Sequence, residues 1–452
     1  MEKEKNLRLF SGVGIISREI VTKTAHKYNW VCVAAAINHP EAGKIIDLSE
    51  AISKEYNIKD ASVKLYPYNG YGDQALVRYL MNAEKPDAIL HFTDPRQWLW
   101  LYHMENEIRQ KIPLMFYHVW DNLPYPTYNE SYYRSCDWIA CISKQTYNIV
   151  KQVTKEDAFE PWQISYIPHG VDSEIFHKIT DSNEQIELMK FRSQIIKNDE
   201  VNFVLLYNSR NISRKMLPNI IVAYDKFLKR LPELDRKKCR LLLHTQPMDD
   251  NGTDLPAVIR NLTPDADIIF SSNHVDAAHL NYLYNIADAT INNSSAEGFG
   301  ISTLESLMAE TPIIVNVTGG LQDQCGFEDE DQNCLDPDIH FDYDWGTNED
   351  GRYKNCGEWA IPIFPNNRSI IGSIPTPFIC DARTSIEDVT NAIHEMYKKS
   401  SDQRSIDGKK GREFALSEGR MSADFMARSF MEGIDRTLEK WTPRSRFDLY
   451  KA

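Results

Sequence analysis

Asn292-Asn293-Ser294-Ser295-Ala296-Glu297-Gly298-Phe299-Gly300-Ile301-Ser302-Thr303-Leu304-Glu305-Ser306-Leu307-Met308-Ala309-Glu310-Thr311-Pro312, followed by Ile313-Ile314-Val315, is the stretch around which the chain is organised. It reads as a polar turn, a Gly-Phe-Gly loop, a short helix and a buried strand. Ile301, Leu304, Leu307 and Met308 recur at helical spacing, and Pro312 ends the helix before the β-branched run begins. Glu297 and Glu305 therefore bracket a helix N-terminus. Free N–H groups and the positive dipole end suit an anion there, and the flanking glycines let a ligand reach the backbone. Phosphate is the guest this arrangement suits. A structural reading competes: Ser302-Thr303-Leu304-Glu305 also spells a capping box, in which Glu305 only reaches back to the Ser302 amide.

The longer pattern separates the two readings. Seven residues separate Glu297 from Glu305, Gly298-Phe299-Gly300 follows the first, and a Leu-Glu-Ser-Leu-Met-Ala helix is closed by Thr-Pro and a strand. This resembles the Glu-x7-Glu signature of retaining GT-B glycosyltransferases, above all glycosyltransferase family 4. The resemblance implies an α/β chain of two Rossmann-like, doubly wound domains facing a central cleft. It also implies transfer of a sugar from a nucleoside diphosphate sugar, with UDP as the expected base carrier, to an acceptor hydroxyl with retention at the anomeric carbon.

Size and charge are consistent with that expectation. The 452 residues, 42% hydrophobic and 26% charged, suffice for two cores, since one core rarely grows so large. A net charge of −14 argues against a surface built for nucleic-acid backbones in general. Met1-Glu2-Lys3-Glu4-Lys5-Asn6 has no apolar leader core, and no uncharged run is long enough to span a bilayer. A soluble, cytoplasmic protein is expected. Eight cysteines in so long a chain read as reduced thiols rather than a disulfide framework. The Asn-x-Ser/Thr triplets at Asn129, Asn211, Asn251, Asn261, Asn293 and Asn367 then read as chance matches.

In the first half, Leu7-Arg8-Leu9-Phe10 reads as a strand, Ser11-Gly12-Val13-Gly14 as a turn and Ile15 to His26 as a helix, the minimal phosphate cradle of a doubly wound sheet. In the resembling family a glycine loop here faces the donor diphosphate, which makes Gly14 a donor-binding candidate. Strand-like runs recur at Val31–Ala35, Val63–Tyr66, Ala88–Phe92, Leu114–Tyr117 and Trp138–Ile142, most of them separated by helical stretches. That alternation indicates a largely parallel sheet covered on both faces, with ligands at the carboxyl ends of the strands. His118 stands at such an end. The segment is similar to the family's apolar strand ending in His-Asp, with Val119-Trp120 inserted before Asp121. His118 is thus a catalytic candidate that bonds a sugar hydroxyl or positions the acceptor. Trp98, Trp100, Tyr102, Trp120, Tyr125, Tyr128, Tyr132, Tyr133 and Trp138 crowd this region, and part of the set reads as acceptor wall. Tyr166-Ile167-Pro168-His169-Gly170-Val171-Asp172 resembles the family's exit from the N-terminal domain, with His169 in place of asparagine. The domain division is therefore 1–177 for the first domain, 178–200 for a polar linker and 201–424 for the second. The last helix and tail, about 425–452, rejoin the first domain.

In the second half, Val201–Tyr207 is a nearly continuous apolar strand, as expected for one buried on both faces. Beyond it, Arg210 and Lys215 match the family's Arg-x4-Lys pair, a guanidinium and an ammonium suited to a diphosphate leaving group. Arg214 reads as part of a solvated basic turn. By the same resemblance the backbone at Val275 bonds the nucleobase, Glu297 bonds the transferred sugar, Gly298, Phe299, Gly300 and Ile301 meet sugar and phosphate, and Glu305 accepts from the ribose hydroxyls. The leaving group departs with help from Arg210, Lys215 and the helix terminus. No obligatory cofactor and no metal site are expected.

The family pattern is lost from Gln322 to about Cys380. Between Glu328 and Asp350 there are ten acidic residues and no Lys or Arg, which reads as a solvated loop. Asp342-Tyr343-Asp344 imitates a metal-binding Asp-x-Asp within it, but in an irregular loop rather than at a strand end. Cys325, Cys334, Cys356 and Cys380 cluster without paired Cys-x2-Cys spacing, and a structural zinc is the alternative to free thiols. Two other functions compete with a transferase acting on a small molecule, glycan or lipid. One is glycosylation of a hydroxylated nucleic-acid base. The other is a non-catalytic sugar-nucleotide-binding protein, or an epimerase or phosphorylase of the same fold.

Overall fold

The computed structural model describes residues 12–37, 39–155, 158–272, 275–341 and 346–444. The strand expected at Leu7–Phe10, Asn273-His274, the Asp342-Tyr343-Asp344 motif and the tail 445–452 lie outside the described residues.

In the first half, four parallel strands run in sequence order: β4 (Ile89–His91), β5 (Leu114–His118), β6 (Trp138–Cys141) and β7 (Ile164–Tyr166). A second sheet pairs β1 (Trp30–Ile37) in parallel with β3 (Val63–Asn69), and the short β2 (Ile46–Asp47) runs antiparallel to β3. Every residue of β5 and β6 is buried, as strands covered on both faces must be. The helix expected from Ile15 begins at Gly12 and ends at Thr24. Gly12 and Gly14 are therefore helical residues rather than a turn.

The second half is one six-stranded parallel sheet: β8 (Phe203–Asn208), β9 (Cys239–His244), β10 (Ile268–Phe270), β11 (Ala289–Asn292), β12 (Ile313–Asn316) and β13 (Ala360–Ile363). Their order is β10-β9-β8-β11-β12-β13, so the direction of winding reverses between β8 and β11. Such a reversal opens a crevice at the carboxyl ends of the two strands, because the loops leaving them turn to opposite faces of the sheet. The organising stretch leaves β11 and the basic turn leaves β8. Topology alone brings these two loops together.

Two regions differ from their sequence reading. The stretch read as a linker holds a helix, Ser182–Ile196. The Asp181 side chain caps it by accepting from the Asn183 and Glu184 amides, and Lys197 ends it in a left-handed conformation. Its Leu188, Phe191 and Ile195 rest on the main core, which supplies the stability a polar surface sequence lacks. The acidic insertion is not a solvated loop. Phe327, Leu335, Phe341 and Trp359 are buried in a cluster with Leu307, Ile313 and Val315, and β13 within it completes the sheet. Glu330, Asp331, Asp336, Asp338 and Asp350 are exposed between these apolar anchors, while Glu349 is buried and accepts from Thr318 Oγ1 at 3.1 Å, so average composition concealed the fold. An antiparallel hairpin of β14 (Asn367–Ser373) and β15 (Thr376–Arg383) follows.

The halves are packed together. One hydrophobic cluster runs from Ile16, Tyr117, Trp138 and Phe430 through Phe299 and Leu304 to Val204 and Leu242. The Ala423–Lys440 helix lies against the Gly12–Thr24 helix, with Phe430 edge-on to both Tyr117 and Trp138. From the insertion, Leu335 O accepts from Lys144 Nζ at 2.6 Å and Asp323 Oδ2 accepts from the Lys144 amide at 2.9 Å. From β15, Phe378 O accepts from Tyr128 O–H at 2.7 Å and Cys380 O accepts from Asn122 Nδ2 at 3.0 Å.

Candidate active site at the strand reversal

The loop leaving β11 is held in shape by its neighbours. Ser295 N donates to Arg214 O at 2.8 Å, which ties it to the loop leaving β8. Asn316 Nδ2 donates to Ser294 O at 2.8 Å, and Gln324 Nε2 donates to Phe299 O at 2.8 Å. Gly300, at φ +91°, caps the Ile301–Met308 helix, a conformation glycine adopts without steric cost. Gly319, at φ +47°, lies so close that a Cβ on it would sit 1.8 Å from Glu297 O. A Gly319-Gly320 pair therefore supports the Glu297–Phe299 backbone.

Glu297 is the centre of charge. It is 8% exposed. Its Oε2 accepts from Lys215 Nζ, from Arg214 Nη1 at 3.3 Å and from Ser294 Oγ at 3.1 Å. Burial pushes its carboxyl up, but the charges of Lys215 and Arg214 outweigh burial and hold it at about 2. Lys215 is equally buried, and loss of water is the main influence on its ammonium, with Glu297 opposing. Asp121 approaches from the first half. Burial raises its carboxyl, while Arg214 lowers it and Glu297 raises it again. A Cβ added to Gly298 would come within 3.2 Å of Val119 O and 2.9 Å of Ile142 Cδ1, so only glycine lets the two halves approach this closely.

Glu305 does not form the capping box. Gly300 occupies the N-cap position, and Glu305 Oε2 accepts from Tyr284 O–H at 2.6 Å. Burial lifts the carboxyl to about 7, the tyrosine partly opposing.

Residues 190–337 match the family described as Glycosyl transferases group 1. HepE from Anabaena, solved in complex with UDP and glucose, superposes with a TM-score of 0.62 at 13% identity, covering 94% of this chain and 96% of that one. Sucrose-phosphate synthase from Thermosynechococcus elongatus gives 0.64 at 13% identity, covering 95% and 94%. The fold is GT-B. Among curated proteins, this GT-B chain is 25% identical over 189 residues to the α-monoglucosyldiacylglycerol synthase of Acholeplasma laidlawii, covering 41% of this chain and 43% of that protein. It is 24% identical over 193 residues to the mannosylfructose-phosphate synthase of Agrobacterium fabrum, covering 42% and 39%. The match thus spans about two-fifths of the length of these curated relatives. Among the described residues no helix is long and apolar enough to cross a membrane.

Within this GT-B frame several expected site residues lie elsewhere. His118 does not face the cleft. It is fully buried, its Nε2 is 2.8 Å from Tyr133 Oη, and burial holds its imidazole at about 3. The last residue of β5 points into the layer between sheet and helices, where it is a packed, neutral group. Arg210 does not join Lys215 on Glu297. Its side chain is 62% exposed and pairs with Asp249 at 2.6 Å. It borders an open depression also lined by Asp249, Asp250 and Asp254, whose charges repel a phosphate. Arg214, read as a solvated turn residue, takes the place beside Lys215.

Gly14 is buried within the first helix, and Gly12 lies against Ile301, where a Cβ would be 3.1 Å from Ile301 Cδ1. Phe299 is buried, its ring 5.2 Å from that of His169; it is an interdomain contact whose backbone shapes the loop. Val275 is half-buried beside Asp276, whose side chain caps the Ala277–Ile286 helix. Of the aromatics, Tyr102, Trp120, Tyr133 and Trp138 are core, while Tyr128 borders β15. Among the described residues no His, Cys, Asp and Glu group is placed to hold a metal, and Cys325, Cys334, Cys356 and Cys380 are free thiols. Tyr284, Gly319 and Gly320 also shape the site, with no site pattern around them in the sequence. The adjacent glycines were the one local signal, since paired glycines mark backbones in close approach.

Proposed function

We propose that the chain is a retaining glycosyltransferase that moves a sugar from a nucleoside diphosphate sugar to an acceptor hydroxyl. The observation that carries this reading is the meeting of Lys215, Arg214 and Glu297 beside a glycine-lined helix tip at the strand reversal. Two cations and a row of free amides are matched to a diphosphate. A UDP-linked donor is favoured because HepE was solved with UDP and glucose, and the Escherichia coli trehalose-6-phosphate structure, of similar fold, holds UDP-2-fluoro glucose.

In this scheme the diphosphate takes over Lys215 and Arg214, and Glu297, released from them, bonds hydroxyls of the sugar. The bond from the anomeric carbon to the diphosphate oxygen breaks through an oxocarbenium-like state. The acceptor oxygen bonds the same face of that carbon, and its proton passes to the departing diphosphate. Arg214, Lys215 and the tip of the Ile301–Met308 helix meet the charge that develops on the leaving group. Glu305 holds the ribose diol. No cofactor is called on. Asp121, opposite Glu297, is the group from the first half best placed to orient the acceptor.

A thermal-shift panel of nucleoside diphosphate sugars, followed by assay of free sugar released from the donor, tests this. A donor at a hundredfold its Kd should stabilise the fold by about 2.7 kcal/mol. Glu297→Ala should abolish sugar release while binding the bare nucleoside diphosphate within about threefold of wild type. Equal loss of both would assign Glu297 to the fold instead.

A further inference from the structure

Glu305 stands at the end of a short hydrogen-bonded chain that the transfer scheme leaves unused. Asn208, the last residue of β8, donates its Nδ2–H to Tyr284 Oη at 2.7 Å. Tyr284 in turn donates its hydroxyl proton to Glu305 Oε2 at 2.6 Å. The tyrosine is fully buried and Glu305 is 4% exposed. The Tyr284 ring is fixed edge-on to Phe176, and its backbone carbonyl accepts from Thr311 Oγ1 at 2.9 Å. Its hydroxyl therefore has one direction in which to donate. A tyrosine that only packed would not need both an incoming and an outgoing bond in line with a carboxylate.

Among the described residues no charged group is paired with that carboxylate. The Ala277–Ile286 helix offers Tyr284, and β8 and β11 offer the neutral amides Asn208 and Asn292, the latter bonded to Thr303 Oγ1 at 3.4 Å. The Ser401–Leu416 helix, packed on the far side, brings Arg412, but its guanidinium is spent on the carbonyls of Met308, Phe176 and Ser173. Burial and the tyrosine are the influences that remain.

Resting on the reading of Glu305 as the ribose-diol acceptor, we propose that Tyr284, held by Asn208, is a positioning residue. It aims the Glu305 carboxylate and sets how readily it ionises, so that binding a nucleoside diphosphate sugar at this site expels a proton. The physical logic is linkage. A buried carboxyl facing one neutral donor holds a proton near neutrality, and two ribose hydroxyls arriving as donors favour the charged form. The folded, unliganded group has a raised pKa and the liganded one a lower pKa, so donor affinity rises with pH. Removing the tyrosine hydroxyl removes a bond to the charged form and moves the whole profile to higher pH.

The test is calorimetric titration across pH of the full-length protein with the UDP-, ADP- or GDP-glucose that most stabilises it. Their diphosphate diesters have no group titrating between about pH 6 and about pH 8, and at the alkaline end, where a uracil or guanine N–H begins to ionise, each variant is compared with wild type on the same donor. Wild type should bind about tenfold more weakly at about pH 6 than at about pH 8 and release protons on binding near pH 7. Tyr284→Phe should be about tenfold weaker than wild type near pH 7 yet return to within about threefold near pH 9. Asn208→Ala should move the profile in the same direction by less, and provides a second variant should Tyr284→Phe fold poorly. Glu305→Gln should bind weakly with no pH dependence. A wild-type affinity flat in pH, or a Tyr284→Phe deficit of equal size at every pH, overturns the inference. Failure of every nucleotide sugar to bind wild type overturns the functional reading on which it rests.

Discussion

Two strand ends in this molecule present similar residues and put them to different ends. At β11 the chain leaves the sheet through a glycine-rich loop, and Glu297 projects from it toward Lys215 and Arg214. At β5 a histidine occupies the final strand position itself and is swallowed by the layer beneath, its imidazole bonded to Tyr133. The lesson is geometric. A strand-end residue inherits the alternation of its strand, and both faces of a parallel sheet are covered, so only the loop beyond has access to the crevice. The first half meets that condition with Asp121, displaced from His118 by Val119-Trp120 and drawn into the field of Arg214, Lys215 and Glu297.

The largest expected contrast follows from removing a charge at the β11 side. Lys215→Met leaves Glu297 buried with one partly exposed guanidinium, and should cost about 3 kcal/mol of stability in urea unfolding. Donor turnover should fall by about a thousandfold, as expected for losing a group that meets transition-state charge. At the β5 side, His118→Ala should cost about 2–4 kcal/mol through a cavity and an orphaned Tyr133 hydroxyl. Turnover per folded molecule should stay within about threefold of wild type, and a loss as large as that of Lys215→Met would return His118 to the reaction. A finer contrast lies within the basic turn. Arg214→Ala should raise the donor KM by about tenfold or more, whereas Arg210→Ala, removing an exposed pair with Asp249, should leave it within about twofold and change stability by less than about 1 kcal/mol. Equal effects would show that Arg210 swings into the cleft when the donor binds.

The same contrast explains what was legible in the sequence. Helical spacing from Ile301 to Met308, the stop at Pro312 and the apolar runs of β8, β11 and β12 carry their structure in local periodicity, so the doubly wound second half could be read directly. Residues whose position depends on contacts distant in sequence could not. Whether Arg210 or Arg214 faces Glu297 is decided by the bond from Ser295 N to Arg214 O and by the carboxylate of Asp249, neither of which leaves a mark near the arginines. Glu305 was ambiguous for a related reason: a capping box and a ligand carboxylate share one local pattern, and Tyr284 selects between them. In the insertion, ten acidic residues outweighed the few apolar anchors that bury it.

The most direct test of the account is hydrogen exchange of the backbone amides with and without a saturating nucleoside diphosphate sugar. The account predicts that exchange slows by at least about fivefold at Gly298 to Ser302, the free N–H groups of the helix tip, with weaker protection across the basic turn that follows β8. Protection confined to the acidic depression beside Arg210, or none at the helix tip under conditions where the donor is bound, would contradict it.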